Sequence, residues 1–285
     1  MKKIILFILL GLLFSQSEYQ ILTVPKNIFE LSSNNGFSSK ISLNNFSNPS
    51  SLNINKNVYA FSLIQYPAGI SMYHLAIKNY RLSILDYGLL KDQIHNMVNS
   101  EFTANEVLFE YYYNYNVRNI RLGLSVGSFY SNIETYNSFG FISSFGLNSY
   151  YKKIDSYFGL SIENLGYIFK SYTAYNLNIP LQYRINYMKN LSSLVISYDL
   201  LFFKNDQHIK HIICFEFNIN EKINLKISNS NYLKEMIVEE NDFKLLSGIG
   251  LGINAKLNSI NFDIGFLNLG IAGWGYGISV NFIKN

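Results

Sequence analysis

The last third of the chain alternates apolar residues with polar residues or glycine over three long stretches, and this feature limits the fold more than any other. The stretches cover residues 243–256, 258–267 and 272–283. Because successive side chains of a β-strand point to opposite faces, each stretch has one apolar face and one face of polar or very small residues. Segments of about ten residues exceed an ordinary soluble strand and match the tilted strands that cross a bilayer. The pattern therefore predicts a transmembrane β-barrel.

The composition favours the same class of protein. Hydrophobic residues make up 48% of the 285 residues and charged residues only 15%, whereas soluble domains carry about a quarter charged residues. Aromatic residues reach 16%, almost all of them Tyr (23) and Phe (22). An apolar exterior, a polar interior and aromatic girdles explain this balance, and a secreted β-sandwich or β-helix is the soluble alternative.

The first residues predict export. Lys2 and Lys3 precede the apolar run 4–14, and the small residues around Ser15 and Ser17 offer a cleavage site. Residues 1–17 are therefore interpreted as a signal peptide, and the apolar run is too short for a membrane-spanning helix. Without the two lysines, 21 of the 23 basic residues remain against 19 acidic ones, which argues against a nucleic-acid partner.

The barrel is predicted to occupy residues 57–285 as a single all-β domain of fourteen antiparallel strands. Short and long connections alternate along it, as in outer-membrane barrels, where the short turns face the periplasm. The residues between 132 and 137 are expected to form one of the longer connections. The predicted strands cover residues 57–66, 69–78, 80–88, 104–116, 118–131, 138–150, 154–164, 175–188, 191–203, 207–219, 222–229, 243–256, 258–267 and 272–283.

Residues 18–56 do not alternate and are rich in turn-forming residues, such as the run 48–52 with its Asn48-Pro49 pair. We interpret them as a hatch, a folded segment packed inside the barrel mouth. A flexible periplasmic lead is the alternative.

Glycines are concentrated on the non-apolar face of the last three strands. Because glycine allows close approach of another backbone, this smooth wall is a candidate contact surface for the hatch. The alternative is that the glycines relieve bending in a tightly curved barrel. The residues are Gly248, Gly250, Gly252, Gly265, Gly275 and Gly277.

No catalytic or metal-binding pattern fits its context, so the sequence predicts a non-enzymatic protein without a cofactor or metal. Residues 123–127 match the G-x-S-x-G pattern but lie within a strand, not at a strand-to-helix turn. His208 and His211 would point to opposite faces of a strand. Cys214, the sole cysteine, is expected to point into the lumen. Inward acids are expected to pair with arginines; the candidates are Glu110, Glu163, Asp199, Glu216, Asp263, Arg81, Arg121 and Arg184.

Several short pieces, kept in order, resemble the PorV/PorQ family of outer-membrane barrels, which is related to FadL-like barrels; PorQ is the closer likeness. Residues 19–25 resemble the family's opening, and Asn48, Pro49 and Leu52 its Asn-Pro-Ala-x-Leu hatch motif. The family's Asn-Leu-Gly and Leu-Pro patterns resemble the pieces that contain Asn164, Leu165, Gly166 and Pro180. Further pieces lie at 87–88, 102–106, 130–138 and 146–147.

Two stretches depart from the family pattern. Residues 26–31 replace an Ala-Arg-rich, glycine-rich stretch, and residues 40–46 replace the acidic residues that precede the Asn-Pro motif. The resemblance therefore does not imply for this chain any role that depends on those acids.

The resemblance implies a component of type IX protein secretion that holds partner or cargo proteins at the surface of a diderm bacterium, in contact with outer-membrane lipid. Two alternatives stay open at this point. The first is a FadL-like channel for hydrophobic small molecules, which a hatch and an aromatic wall would allow. The second is a lipid-acting enzyme, for which no Ser/His/acid cluster is found.

Overall fold

The computed structural model of the protein describes residues 19–53, 57–91, 101–172, 178–204, 209–231 and 246–284. The predicted signal peptide lies outside the described residues, as do most of the predicted loops 89–103 and 230–242 and the side chain of His208.

The described residues form fourteen strands in one closed antiparallel barrel, which confirms the predicted fold class. Each strand pairs with the next one along the chain, and β1 closes the ring by pairing with β14 from Asn57↔Lys284 to Gln65↔Tyr276. The strands are β1 (Asn57–Gln65), β2 (Ser71–Ile77), β3 (Tyr80–Lys91), β4 (Glu101–Val117), β5 (Ile120–Ile133), β6 (Tyr136–Tyr151), β7 (Ser156–Lys170), β8 (Gln182–Leu191), β9 (Leu194–Phe203), β10 (Ile209–Asn218), β11 (Ile223–Ser230), β12 (Ile249–Leu257), β13 (Ile260–Asn268) and β14 (Trp274–Lys284).

The connections distinguish the two ends of the barrel. One end carries the turns at 78–79, 118–119, 152–155, 192–193, 219–222 and 258–259, together with the start of β1 and the end of β14. We name it the short-turn end, and the opposite end the long-loop end. In outer-membrane barrels the short turns face the periplasm, so the short-turn end is the periplasmic one.

Four predictions about strand bounds are wrong. Strand β12 begins at Ile249 instead of residue 243, because residues 246–248 form no strand. Residues 132–137 do not form a long connection, because β5 and β6 pair as far as Ile133↔Tyr136 and leave a two-residue turn. Strand β7 continues past Asn164 to Lys170, with a register shift against β6 in this part of the pairing. Strand β8 begins at Gln182 instead of residue 175, because residues 178–181, which include Pro180, form no strand.

The outward-facing side chains form an apolar belt around the barrel. Large hydrophobic residues stay exposed on every strand that the sequence pattern predicted to be two-faced, while their neighbours in sequence are buried. Such a surface is stable only in contact with lipid, so the barrel spans a bilayer. Representative members are Phe61, Tyr73, Phe109, Leu122, Phe141, Ile185, Ile213, Ile264 and Ile278.

Residues 19–53, named here the N-terminal segment, lie inside the barrel against its inward-facing side chains. The segment contains the helix α1 (Ile28–Ser33), whose six residues are all buried. Asn27 caps the start of α1 by accepting a hydrogen bond from the Glu30 amide at 3.0 Å, and Asn34 ends it in the left-handed conformation. None of the helices in the described residues is long and apolar enough to cross a membrane.

Candidate functional site inside the barrel

The long-loop half of the barrel interior is apolar, which is unusual because the lumen of such barrels is generally polar. Inward side chains from seven strands form one continuous cluster there, and residues of the N-terminal segment cover it. We name its barrel part the apolar wall, which consists of Ile64, Met72, Leu85, Leu108, Phe129, Ile142 and Leu267.

The covering residues are Tyr19, Ile21 and Leu22 at the start of the N-terminal segment, together with Ile28 and Leu31 of α1. The Tyr19 ring lies 4.5 Å from the Phe129 ring, and its hydroxyl is 2.6 Å from the Ser138 hydroxyl. The Ile21 amide donates to Glu106 Oε2 at 2.8 Å. Burial of apolar surface therefore adds to these polar contacts in holding the stretch in place.

Helix α1 lies against the glycines of the last three strands. A Cβ atom at Gly252 would lie 2.5 Å from the Ser32 Cβ, and one at Gly265 would lie 2.8 Å from Ile28 Cγ2. Larger residues would therefore push the helix away from the wall. Gly250 and Gly277 also face α1, while Gly275 faces Tyr66 and Gly248, at φ +78°, faces Ser230.

The motif residues Asn48, Pro49 and Leu52 dock on β4 to β7. Asn48 Nδ2 donates to the carbonyls of Leu147 and Leu160 at 3.4 and 3.3 Å, and Pro49 opens a 3-10 helix over Pro49–Ser51. The Leu52 side chain is fully buried beside Phe46 and Tyr112. The Leu52 carbonyl accepts hydrogen bonds from Asn114 and Arg121.

Sequence reasoning missed the surface on which this motif rests. Gly123 and Gly146 are cross-strand partners on β5 and β6, and a Cβ on either would overlap atoms of Asn48, Pro49 or Ser50. Gly159 on β7 lies under Ser39 in the same way. We name these three residues the glycine platform. Glycine at inward positions of neighbouring strands is the sequence signal for such a surface. The G-x-S-x-G pattern over 123–127 concealed it, because Gly123 is the first residue of that pattern.

The structure brings Asn164 and Pro180 together. Asn164, at φ +63°, interrupts the regular pairing of β7, and its Nδ2 donates to the carbonyls of Pro180 and Leu22 at 3.2 and 3.4 Å. Leu165 points outward, and Gly166 packs against the Phe141 carbonyl. Asn164 therefore links the wall and the loop before β8 to the covering residues.

A buried ion network crosses the middle of the interior. Arg184 donates to Glu163 Oε1 at 2.8 Å, lies 3.7 Å from Asp199 Oδ1, and also donates to the Asn35 carbonyl of the N-terminal segment at 2.5 Å. Of the predicted arginine partners, Arg184 pairs with acids, whereas Arg81 stacks on Phe46 and Arg121 binds the Leu52 carbonyl. Glu216 pairs with Lys40, and three polar side chains donate to Asp263; they belong to Asn254, Ser279 and Asn281.

The short-turn half of the interior contains a polar cavity of about 370 Å³. Its lining is dominated by lysine and asparagine side chains, and Asn44 of the N-terminal segment donates to Asn281 Oδ1 at 2.8 Å across it. The short-turn half thus combines this polar cavity with a second buried apolar cluster that includes Phe37, Met188 and Val195. The main polar lining residues are Lys40, Lys226, Lys256, Glu216, Asp263, Asn224, Asn254 and Asn281.

The candidate catalytic and metal-binding residues make hydrogen bonds within the barrel or belong to its regular strands. Ser125 lies within β5, and the buried Cys214 donates to the Ser33 carbonyl at 3.3 Å from the lumen wall. His211 lies 2.6 Å from the Tyr198 hydroxyl, and His74 Nδ1 lies 2.9 Å from the Ser83 hydroxyl. Within the described ranges, no group of three or more His, Cys, Asp or Glu side chains could hold a metal.

Glu30 of α1 gives a pH-dependent prediction. Burial raises the pKa of its carboxyl above the ordinary value of 4.5, although Lys26 opposes the shift and donates its amide at 2.8 Å. Because the folded pKa is the higher one, the stability that Glu30 contributes is complete below pH 4.5 and is lost as pH rises through the folded pKa. We therefore expect Glu30→Gln, which keeps an acceptor, to raise the urea midpoint at pH 7.

At pH 4 the urea midpoints of Glu30→Gln and the parent protein should converge. Glu134→Gln, at an exposed turn, is the matched control. Its urea midpoint should change between pH 4 and pH 7 by the same amount as that of the parent protein. Equal midpoints for Glu30→Gln and the parent protein at pH 7 would contradict the prediction.

Comparison with known proteins finds similar folds but no similar sequences. No family model and no curated protein matches the chain. Among solved structures, the toluene transporter TodX of P. putida superposes with a TM-score of 0.54 at 10% identity, covering 92% of this chain and 97% of that one. A FadL homologue of Pseudomonas aeruginosa superposes with a TM-score of 0.51 at 9% identity, covering 92% and 99%.

The fold is similar to that of FadL-type barrels. A deletion mutant of TodX, described as a monoaromatic hydrocarbon channel, gives a TM-score of 0.57 at 10% identity over 93% of this chain and 99% of that one. The lipid-facing belt, the closed fourteen-strand ring and this likeness indicate a protein of the outer membrane of a Gram-negative bacterium. The PorV/PorQ resemblance and its type IX role stay predictions.

Proposed function

We propose that this FadL-type barrel is an outer-membrane channel for hydrophobic small molecules. The observation that carries the proposal is the apolar wall inside the lumen, on the side of the long-loop end. An inward-facing apolar surface does not stabilise water or ions in the lumen, but it provides a binding surface for an apolar solute. The fold likeness to a toluene transporter supports the same choice.

In this proposal the N-terminal segment is the hatch. Tyr19, Ile21 and Leu22 occupy the apolar wall, so a solute that enters from the long-loop end competes with them for the same surface. The residues are held there in part by apolar burial, which an apolar solute replaces without leaving the wall exposed to water. Displacement of this short stretch frees the apolar wall, and passage onward to the polar cavity at the short-turn end requires movement of α1 and the rest of the N-terminal segment as well.

The test is uptake by whole cells of a Gram-negative host that lacks FadL-type channels. Cells that express the protein should take up radiolabelled toluene or oleic acid faster than cells with an empty vector. Met72→Trp should reduce uptake to near the empty-vector rate, because Met72 is fully buried on the apolar wall and a larger ring fills the space. Tyr73→Trp is the matched control, because the Tyr73 ring is exposed on the outside of the same strand.

Equal uptake of both compounds by expressing and empty-vector cells, with the folded barrel present in the outer membrane, would overturn the proposal. Co-purification of secretion proteins with the solubilised barrel would then favour the type IX prediction.

A further inference from the structure

The outer surface at the short-turn end carries a groove that the channel proposal does not use. The groove has a volume of about 930 Å³ and lies between the β4–β5 turn and the β6–β7 turn. Arg118 of the first turn and Lys152 and Lys153 of the second line it, and all three side chains are exposed. Within the described residues, none of the three has a carboxylate at ion-pair distance.

The acidic residue nearest in sequence does not neutralise these cations. Asp155 follows Lys153 in the same turn, but its Oδ1 accepts hydrogen bonds from the Tyr150 hydroxyl and from Asn190 Nδ2, each at 3.0 Å. Its carboxylate is thus committed to β6 and to the end of β8. The neutral donors leave the negative charge of Asp155 in place, so three cations stand against one carboxylate, and the local net charge of about +2 favours an anionic ligand.

Apolar side chains also line the groove, and they continue into the lipid-facing belt along β4 and β5. Val117, Ile120 and Ile154 line the groove with exposed fractions of 44%, 41% and 48%. Tyr115 and Leu122, the next outward residues on β4 and β5, are 60% and 44% exposed. A ligand in the groove would therefore contact apolar side chains towards the membrane and the three cations at the periplasmic edge of the belt.

We propose that this groove is a binding site for an anionic glycerophospholipid of the periplasmic leaflet. The acyl chains lie on the Val117–Ile120 surface and the belt below it, and the headgroup phosphate lies among Arg118, Lys152 and Lys153. Basic pockets at the membrane surface bind such headgroups, and each cation near the surface strengthens the attraction. Three cations in one groove favour cardiolipin, with two phosphates, over phosphatidylglycerol, with one.

The rest of the short-turn end supplies a matched control. Lys78 and Lys222 lie at other turns of this end, and Lys256 lies near the end of β12 at the mouth of the polar cavity. All three side chains are exposed, and none of them is part of this groove. Replacing all three with glutamine removes the same charge as replacing the groove cations. The lipid affinities of the two triple variants therefore distinguish binding at this groove from nonspecific attraction by the positive charge of the whole short-turn end.

The experiment uses the delipidated full-length barrel in neutral detergent, titrated with cardiolipin, phosphatidylglycerol or phosphatidylcholine and followed by native mass spectrometry. We expect preferential retention of one cardiolipin. In R118Q/K152Q/K153Q its affinity should fall on the order of a hundredfold. In K78Q/K222Q/K256Q the decrease should be much smaller. Both variants should keep the heat-dependent electrophoretic shift of a folded barrel.

Equal losses in the two triple variants would overturn the proposal, as would equal retention of phosphatidylcholine and cardiolipin by the parent protein. Retention that survives in R118Q/K152Q/K153Q would overturn it as well. A second measurement on the parent protein alone removes any dependence on the variants, because 0.5 M salt, which shortens the screening length to about 4 Å, should release cardiolipin. The proposal requires only the orientation of the barrel in the outer membrane, so failure of the uptake test leaves it standing.

Discussion

Arg184→Met is expected to destabilise the barrel by about 3–5 kcal/mol, because it leaves buried acids without their cation. Arg184 is 3% exposed and Asp199 is fully buried, while Glu163 is 13% exposed. Without Arg184 the two carboxylates stay desolvated, and the hydrogen bonds that they keep from Ser38, Ser197 and Ser161 offset that cost only in part. The substitution also removes the hydrogen bond to the Asn35 carbonyl, so the N-terminal segment loses an attachment at the same time.

The measurement is equilibrium unfolding in guanidinium with the barrel in lipid vesicles, followed by the fluorescence of Trp274, the only tryptophan. Lys189→Met is the control, because Lys189 lies on the same strand but is only partly buried. Addition of Glu163→Gln and Asp199→Asn to Arg184→Met should recover most of the loss, since neutral side chains cost less to bury unpaired. A loss of less than about 1 kcal/mol for Arg184→Met would show that water reaches the network.

The double substitution Gly123→Val and Gly146→Val is expected to lift the N-terminal segment from the wall. The two glycines face each other on β5 and β6, and a side chain on either would occupy the position of Asn48 or Ser50. Overpacking of this kind costs about 1–3 kcal/mol per site, which is comparable to the few hydrogen bonds that Asn48 makes. Because both side chains point inward, the closed ladder of the barrel itself should stay intact.

Limited trypsin digestion in detergent measures the effect. Lys26 and Lys40 lie in the segment and should resist cleavage in the parent protein, where Lys40 is paired with Glu216. In the double variant we expect rapid cleavage at both sites and a rise in ion conductance across planar bilayers. Leu122→Val with Phe145→Leu, at lipid-facing positions next to the two glycines, is the control. Unchanged protection in the double variant would mean that the platform does not hold the segment.

The contacts of the interior could be anticipated only in part from the sequence. The prediction that Arg184 pairs with acids was correct, but Arg81 and Arg121 looked equivalent to it, and they bind Phe46 and the Leu52 carbonyl instead. All three arginines are inward residues of two-faced strands. Which of them meets a carboxylate depends on how strands distant in sequence and the N-terminal segment meet inside the ring. That arrangement has no signature in local sequence.

The glycine platform illustrates the same limit. The glycines of the last three predicted strands are dense in one stretch of sequence, whereas Gly123, Gly146 and Gly159 are far apart in sequence and lie on three different strands. They become one surface only through the pairing of β5 with β6 and of β6 with β7. The bulge at Asn164 was missed for a related reason, because an Asn-Leu-Gly run is typical of a turn and the paired neighbours keep it within the strand.

The sequence by itself determined the barrel, its strand number and the face of each strand that meets lipid, because a period of two residues records on which side every side chain lies. It could not determine what fills the lumen. The apolar wall under Tyr19, the ion network at Arg184 and the basic groove at Arg118 each combine residues from several strands or turns, and only closure of the ring brings those residues within contact distance.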